Sequence, residues 1–310
     1  MGRKLPQASG ALNHGVVSLA VFRPAPPPAP APDAGMACLP LMIDAIGTAQ
    51  FAPALAGLCR EATGFGSVLI SALFADHVPV ALYDDLTDDA SSTTVAPYFS
   101  WAYLLDPFYD RYAAGGGDFA LRLTDCAPDD FRQSEYFRRF YAATGLTDEI
   151  GLVVRCAGGA AIFVSVGNRD ADPAQAADGG SAPLERLLPV VAALVRRNWP
   201  ALTPDALDGR GRLSAHLKRA VALFGSSRLS DREAQIVQMV LRGHSNKSIA
   251  NTLAISAETV KVHRKRIYSK LGVMSQGGLF SVFYEALSQT PPGADADPLH
   301  WLPPGFRPAI

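Results

Sequence analysis

LSDREAQIVQMVLRGHSNKSIANTLAISAETVKVHRKRIYSKLGVMSQGGLFSVFYEAL, residues 229–287, reads as four short helices joined by tight turns. Ser230 is placed to accept the free amide of Glu233 while the Glu233 carboxylate reaches back, a capping box that also suits the helix dipole. Ile236, Val237, Val240 and Leu241 then form one apolar face, and Gly243 ends the helix after Arg242. Ser245 opens a second helix with Ile249, Ala250 and Leu253 inward. Ala254 to Ser256 make a turn, and Ser256 caps the third helix.

At about 100° per residue, Val260, Ile267 and Leu271 of the third helix share a narrow arc, which is its buried side. Lys261, Val262 and Lys265 project roughly opposite, and Thr259, Arg264, Arg266 and Lys270 lie toward the flanks or ends. This pattern suits double-stranded DNA. A lysine donates to guanine O6 and N7, a valine packs on a thymine methyl, and flanking cations displace counterions from phosphates.

The segment resembles the LuxR/NarL-type helix-turn-helix domain of bacterial transcription regulators. The matching pieces are LSDRE, GHSNKSIA and ISAETVKVHRKRIYSKLGV, at fixed spacing over about a fifth of the chain. The resemblance implies base contacts from Lys261, Val262 and Lys265, and backbone docking by Asn246, Lys247 and His263. With Ser245, Thr259, Arg264, Arg266 and Lys270, these make the expected backbone set. Two residues depart from the family pattern: Ser248 stands where Glu is usual, and Gln276 where Arg is frequent, which removes one phosphate contact. The fourth helix, from Ser275 to about Leu287, is implied to pair two such domains.

Charge is partitioned along the chain. Between Arg228 and Glu285 nine Lys or Arg face four Asp or Glu, a net of +5; the whole chain is −1, leaving −6 elsewhere. The footprint for nucleic acid is therefore local. With 310 residues and 48% apolar content, the chain can hold two cores. Cys38, Cys59, Cys126 and Cys156 are scattered, with no metal-ligand spacing, so free thiols in a reducing cytoplasm are expected, with no metal and no cofactor. No apolar run approaches the ~20 residues of a membrane span. Residues 1–35, with their PAPPPAPAP run, read as a disordered tail.

Residues 36–200 alternate helix and strand. Helices are expected at Leu39 to Ala62, Tyr98 to Ala113, Asp130 to Ala143 and Leu184 to Asn198. Strands are expected at Ser67 to Phe74, Val78 to Tyr83, Phe119 to Leu123, Ile150 to Cys156 and Ala161 to Val166. Hairpins among five strands predict an α+β domain, an antiparallel sheet covered by helices. The layout is similar to GAF or PAS sensor domains and to the autoinducer-binding domains of quorum-sensing LuxR proteins. Within it, YFSWAYLLDPFYDRY nominates a small-molecule pocket from Tyr98, Trp101, Tyr103, Asp106, Phe108 and Tyr109. The resemblance implies that an acid such as Asp106, in its Asp-Pro pair, bonds a ligand amide; an aromatic stripe at helical spacing also suits a plain core. In DDFRQSEYFRRFY and the following TGLTDEIG, Asp129, Asp130, Glu135 and Glu149 could attract an amine, although a solvated helix with a Glu135–Arg139 pair is the simpler account.

Catalytic signatures are absent: there is no GxSxG, HExxH or P-loop. Residues 201–227 read as a linker carrying an amphipathic helix, with Leu213, Leu217, Ala220, Val221 and Phe224 on one stripe for the sensor domain or a second copy. Residues 228–287 form the all-α helix-turn-helix domain, and 288–310 an irregular tail with Trp301 and Phe306 as anchors. The expectation is a cytoplasmic, non-enzymatic regulator with double-stranded DNA, a second copy, a small-molecule effector and RNA polymerase as partners, and no membrane. The competing reading is a protein-interaction regulator whose helix-turn-helix no longer binds DNA.

Overall fold

A computed structural model describes residues 35–86, 98–169, 180–203 and 211–306, the first five of the last segment by backbone alone. Residues 1–34 of the expected tail and 204–210 of the linker lie outside the described residues, as does the Leu213 side chain. Helix α1 (Leu39–Asp44) and α2 (Phe51–Thr63) precede the hairpin β1 (Ser67–Leu73) and β2 (Val80–Asp84). After α3 (Pro107–Ala113) come β3 (Phe119–Arg122), β4 (Asp148–Arg155) and β5 (Ala161–Asn168), then α4 (Ala182–Asn198). The strands form one antiparallel sheet, as the sequence predicts, and their order is β2-β1-β5-β4-β3.

Strand periodicity divides the sheet into two faces. Ile70, Leu152 and Val164 point into a layer of α1, α2 and α4, with Leu55, Leu58 and Val195 fully buried there. Leu69, Glu149, Gly151, Phe163 and Ser165 point the other way, under an aromatic layer drawn from residues 98–144.

Three expected helices are broken, each for a local reason. The first is interrupted between Asp44 and Phe51, where Gly47 takes a φ of 77° and donates its amide to Asn198 Oδ1 at 2.8 Å. The second breaks at Asp106, which is extended (φ −75°, ψ 125°) because a residue before proline is driven out of the helical region. Its carboxylate then caps α3 by accepting from the Phe108 amide at 2.8 Å. The third is a one-turn 3-10 helix at Phe131–Gln133, a π-turn at Phe137–Tyr141 and another 3-10 turn at Ala142–Thr144. This winding buries Tyr136, Phe140 and Tyr141 together.

Helix α5 (Gly211–Leu223) leads to α6 (Asp231–Arg242), α7 (Asn246–Leu253), α8 (Ala257–Leu271) and α9 (Gln276–Gln289). The capping box at Ser230 is complete, and Ser245, Ser256 and Ser275 each cap their helix by accepting a backbone amide. Leu217, Ala220, Val221 and Phe224 are buried, and Phe224 meets Phe283 of α9 at 5.2 Å between ring centroids. The amphipathic helix thus docks within its own chain, with Lys218 on the Ala75 carbonyl. The tail departs from the irregular expectation: α9 runs to Gln289, and Pro298–Trp301 forms a 3-10 turn. Phe306 packs on the core, while Leu299 rather than Trp301 is the buried anchor. Asp297, 3% exposed, accepts from the Gly225 and Ser227 amides and clamps the turn ahead of α6.

Candidate DNA-reading surface and ligand cavity

On α8, Val260, Ile267 and Leu271 are buried while Thr259, Lys261, Val262, Lys265 and Arg266 are exposed. Val262 is 49% exposed on an otherwise charged face. Asn246 at the start of α7 converges with Lys261, Arg264 and Lys265 on one shallow depression, and Lys247 is exposed beside it. Arg264 bridges Asn246 Oδ1 and the Tyr268 hydroxyl, each at 2.9 Å, so it ties the two helices of the motif together.

Other residues of the expected backbone set are held by the protein. Lys270 donates to Glu233 Oε2 at 2.6 Å, across from α8 to α6. Burial alone would raise the Glu233 carboxyl, but Lys270 and the Ser230 amide and hydroxyl hold it below the usual range. His263 is half-buried, its Nδ1 enclosed without a partner among the described residues. Ser248 pairs its hydroxyl with His244 Nδ1 at 2.9 Å, and Gln276 turns inward to the Val240 carbonyl. Both departures from the family pattern have thus found internal partners.

Ser245 is engaged from the N-terminal domain. Its amide donates to Asp129 Oδ1 at 2.9 Å and its hydroxyl to Oδ2 at 2.5 Å. Beside it, Asp130 donates its amide to the Gly243 carbonyl at 3.0 Å, and Arg242 Nε donates to Asp110 Oδ2 at 2.8 Å. Gly243 has a φ of 92°, and a Cβ there would stand 2.7 Å from the Phe131 Cα. Trp101 meets Phe280 and Tyr284 of α9 edge-on, at 6.0 and 5.3 Å. The two domains are therefore latched, with the helix expected to pair two copies partly covered by Trp101.

Under the aromatic layer lies a cavity against the sheet. Of the six residues nominated for it, Tyr98 and Asp106 line it. The other four do not: Trp101 serves the contact with α9, Phe108 packs flat on Gly151, and Tyr103 and Tyr109 pack edge-on at 4.9 Å, Tyr109 facing the crevice between domains. The break at Asp106 causes this, since α3 restarts with a new phase. The cavity wall is completed by Tyr136, Tyr141, Glu149, Phe163 and Ser165, which the sequence reading left out, apart from Glu149. The signal that would have found them is the period of β4, which puts Glu149 on the same face as Gly151 and Val153.

The acidic cluster separates into different roles. Glu135 does pair with Arg139, at 2.9 Å on the surface. Asp129 goes to Ser245, whereas Glu149 is 7% exposed and accepts from the Ser165 hydroxyl. Asp106 accepts from the Tyr98 hydroxyl at 2.6 Å. Burial raises both the Asp106 and the Glu149 carboxyls, and the charge on Asp106 raises Glu149 further.

A two-helix turn carrying an exposed basic helix defines a helix-turn-helix protein, and comparison agrees. Residues 227–283 match the family described as bacterial regulatory proteins, luxR family. An HTH-type transcriptional regulator in the exeN 3' region of Aeromonas salmonicida is 34% identical over 51% of this chain and 83% of its own length. The transcriptional regulatory protein TdiR of Thauera aromatica is 53% identical over 26% of this chain and 32% of its own. Among solved structures, the VqsR LBD domain of Pseudomonas aeruginosa is 24% identical, covering 54% of this chain and 98% of that one, with a TM-score of 0.44. The chain belongs to the LuxR family of bacterial regulatory proteins. Among the described residues no helix is long and apolar enough to cross a membrane.

Proposed function

We propose that this regulator binds specific double-stranded DNA through α8 as a dimer and is controlled by a small molecule held in its N-terminal domain. The exposure of Lys261, Val262 and Lys265 opposite a fully buried apolar stripe carries the proposal. Lysines flanking a half-exposed valine match the acceptors of guanine and the methyl of thymine in the major groove. Lys261, Val262 and Lys265 are assigned to bases. Lys247, Thr259, Arg266 and Asn246 are assigned to the sugar-phosphate walls.

Control follows from connectivity. Asp106, which lines the cavity, caps α3, and Asp110 one turn later holds Arg242. Occupying the cavity would move α3 and so loosen the latch, freeing Ser245 for a phosphate and α9 for a second copy. Two recognition helices one DNA turn apart would then read a palindromic site.

The test is a titration of the full chain against DNA from upstream of its own coding region at several salt concentrations. A sequence-specific shift whose logarithmic affinity falls linearly with logarithmic salt is expected. Absence of either sinks DNA binding and leaves a protein-interaction role. Lys265→Ala is expected to weaken specific binding by ~1–3 kcal/mol; an equal loss on all sequences would reassign Lys265 to phosphate.

A further inference from the structure

The cavity against the sheet holds two carboxyl groups and no cation in its described lining. Asp106 enters from the break before α3 and Glu149 from β4, 6% and 7% exposed. Asp106 accepts from the Tyr98 hydroxyl on Oδ2 and from the Phe108 amide on Oδ1, and Ser165 satisfies one oxygen of Glu149. The Tyr141 hydroxyl, 5% exposed, lines the same space and leans on the Glu149 carboxyl, lowering its titration, without full hydrogen-bond geometry. Arg169 feels the Glu149 charge but sits outside the lining with its guanidinium on the Thr144 carbonyl.

Paired carboxyls out of water stay protonated unless a positive charge compensates them. The cavity is small, about 40 Å³, enough for a group of a few heavy atoms. An ammonium fits these constraints: it offers three donors and no acceptor, and aromatic walls favour an organic cation. Pro107, Leu123 and Leu146 supply apolar lining for its carbon substituent.

We infer that this cavity binds a small protonated primary amine, its ammonium bridging Asp106 and Glu149 with the Tyr141 hydroxyl at its side. The inference rests on the reading of the N-terminal domain as a small-molecule site and names the ligand's class. A neutral alcohol offers a single donor, and neither an alcohol nor an amide brings a positive charge to the pair.

The groups that face the pair are Asp110 toward Asp106, Asp148 toward Glu149, the phenols of Tyr98, Tyr136 and Tyr141, and the Cys126 thiol, with Arg169 as the outlying cation. All except Arg169 are acids, so a bound ammonium ionises the pair and releases a proton to buffer. Calorimetry on the full chain near neutral pH, with n-butylammonium and its neutral counterpart n-butanol in buffers of different ionisation enthalpy, reads this directly. The amine is expected to bind at least tenfold more tightly than the alcohol, with a heat that varies with the buffer. Glu149→Gln, which keeps volume and hydrogen bonding, is expected to lower amine affinity at least tenfold and leave the fold's circular dichroism unchanged. Equal binding of amine and alcohol, or no change in Glu149→Gln, overturns the inference. Mass spectrometry of molecules released from the purified chain separates the two levels: a retained neutral ligand with no amine binding overturns the amine and leaves small-molecule control standing, while neither retained ligand nor amine binding overturns both.

Discussion

At the scale of single residues, two glycines carry geometry that no other side chain permits. Gly151 lies in β4 under the Phe108 ring, where a Cβ would stand 2.5 Å from Cδ1. That contact seats α3 on the sheet and fixes the Asp106 cap beside the cavity. Gly151→Ala is expected to cost about 1–3 kcal/mol by overpacking, read as a drop in the thermal midpoint of the N-terminal domain. Adding Phe108→Leu should recover part of the loss; additive losses would show that the ring is not the obstacle. Gly243 is a different case, needed both for its positive φ and for the approach of Phe131. The glycine after Arg242 reads from the sequence as a helix terminator, and it is one. Its second duty, toward a residue more than a hundred positions away, has no local signature.

Elements repeat the contrast between local and distant causes. The caps at Ser230, Ser245 and Ser256 and the apolar stripes of α6 to α8 were legible because capping and periodicity are written within four residues. Glu233 adds what the sequence did not show: it holds Lys270 from another helix while completing its own capping box. Its folded carboxyl titrates below the unfolded one. The stabilisation is therefore fully present above the ordinary carboxylate pKa and is lost as the pH falls through the lowered value. Glu233→Gln is expected to lose about 1–2 kcal/mol at neutral pH, a charged hydrogen bond discounted for the half-exposed lysine, and to flatten this acid dependence. Amide exchange in α6 and α8 between pH 3 and 7 measures both, and an unchanged pH profile would remove the Lys270–Glu233 pair from the account. Among the N-terminal elements, the expected helices over Tyr98 to Ala113 and Asp130 to Ala143 failed where aromatic content suggested continuity. Asp-Pro is itself a cap followed by a first-turn proline, a signal available at residues 106 and 107. The π-winding near Phe140 has no comparable marker, since it is set by packing on the sheet.

For the whole molecule, the decisive feature is the latch of Asp110 on Arg242 and Asp129 on Ser245. Asp129 occupies the N-terminus of α7, where backbone amides suit a phosphate, so under the proposed docking DNA and the N-terminal domain would compete for one site. The reading face of α8 stays open throughout. Asp129→Ala is expected to raise DNA affinity about two- to fivefold, the range of an exposed charged contact, equally on specific and unspecific sequences because no base reader is touched. Gel-shift titrations of both variants at fixed salt measure the ratio. An unchanged affinity would mean that the latch does not oppose DNA, and a gain confined to the specific site would mean that it acts through α8.

By itself, the sequence determined the helix-turn-helix unit, its basic face and the antiparallel five-strand plan, because caps, turns and hydrophobic period act over short stretches of chain. It ran Asp106 through the middle of one helix, although the Asp-Pro pair carries the local signal of a helix start. Only the tertiary structure brought Asp106 and Glu149 into one cavity, diverted Trp101 to α9 and seated Asp129 on Ser245. Those pairings join residues far apart in the chain, and their partners are chosen by the packing of sheet against helices.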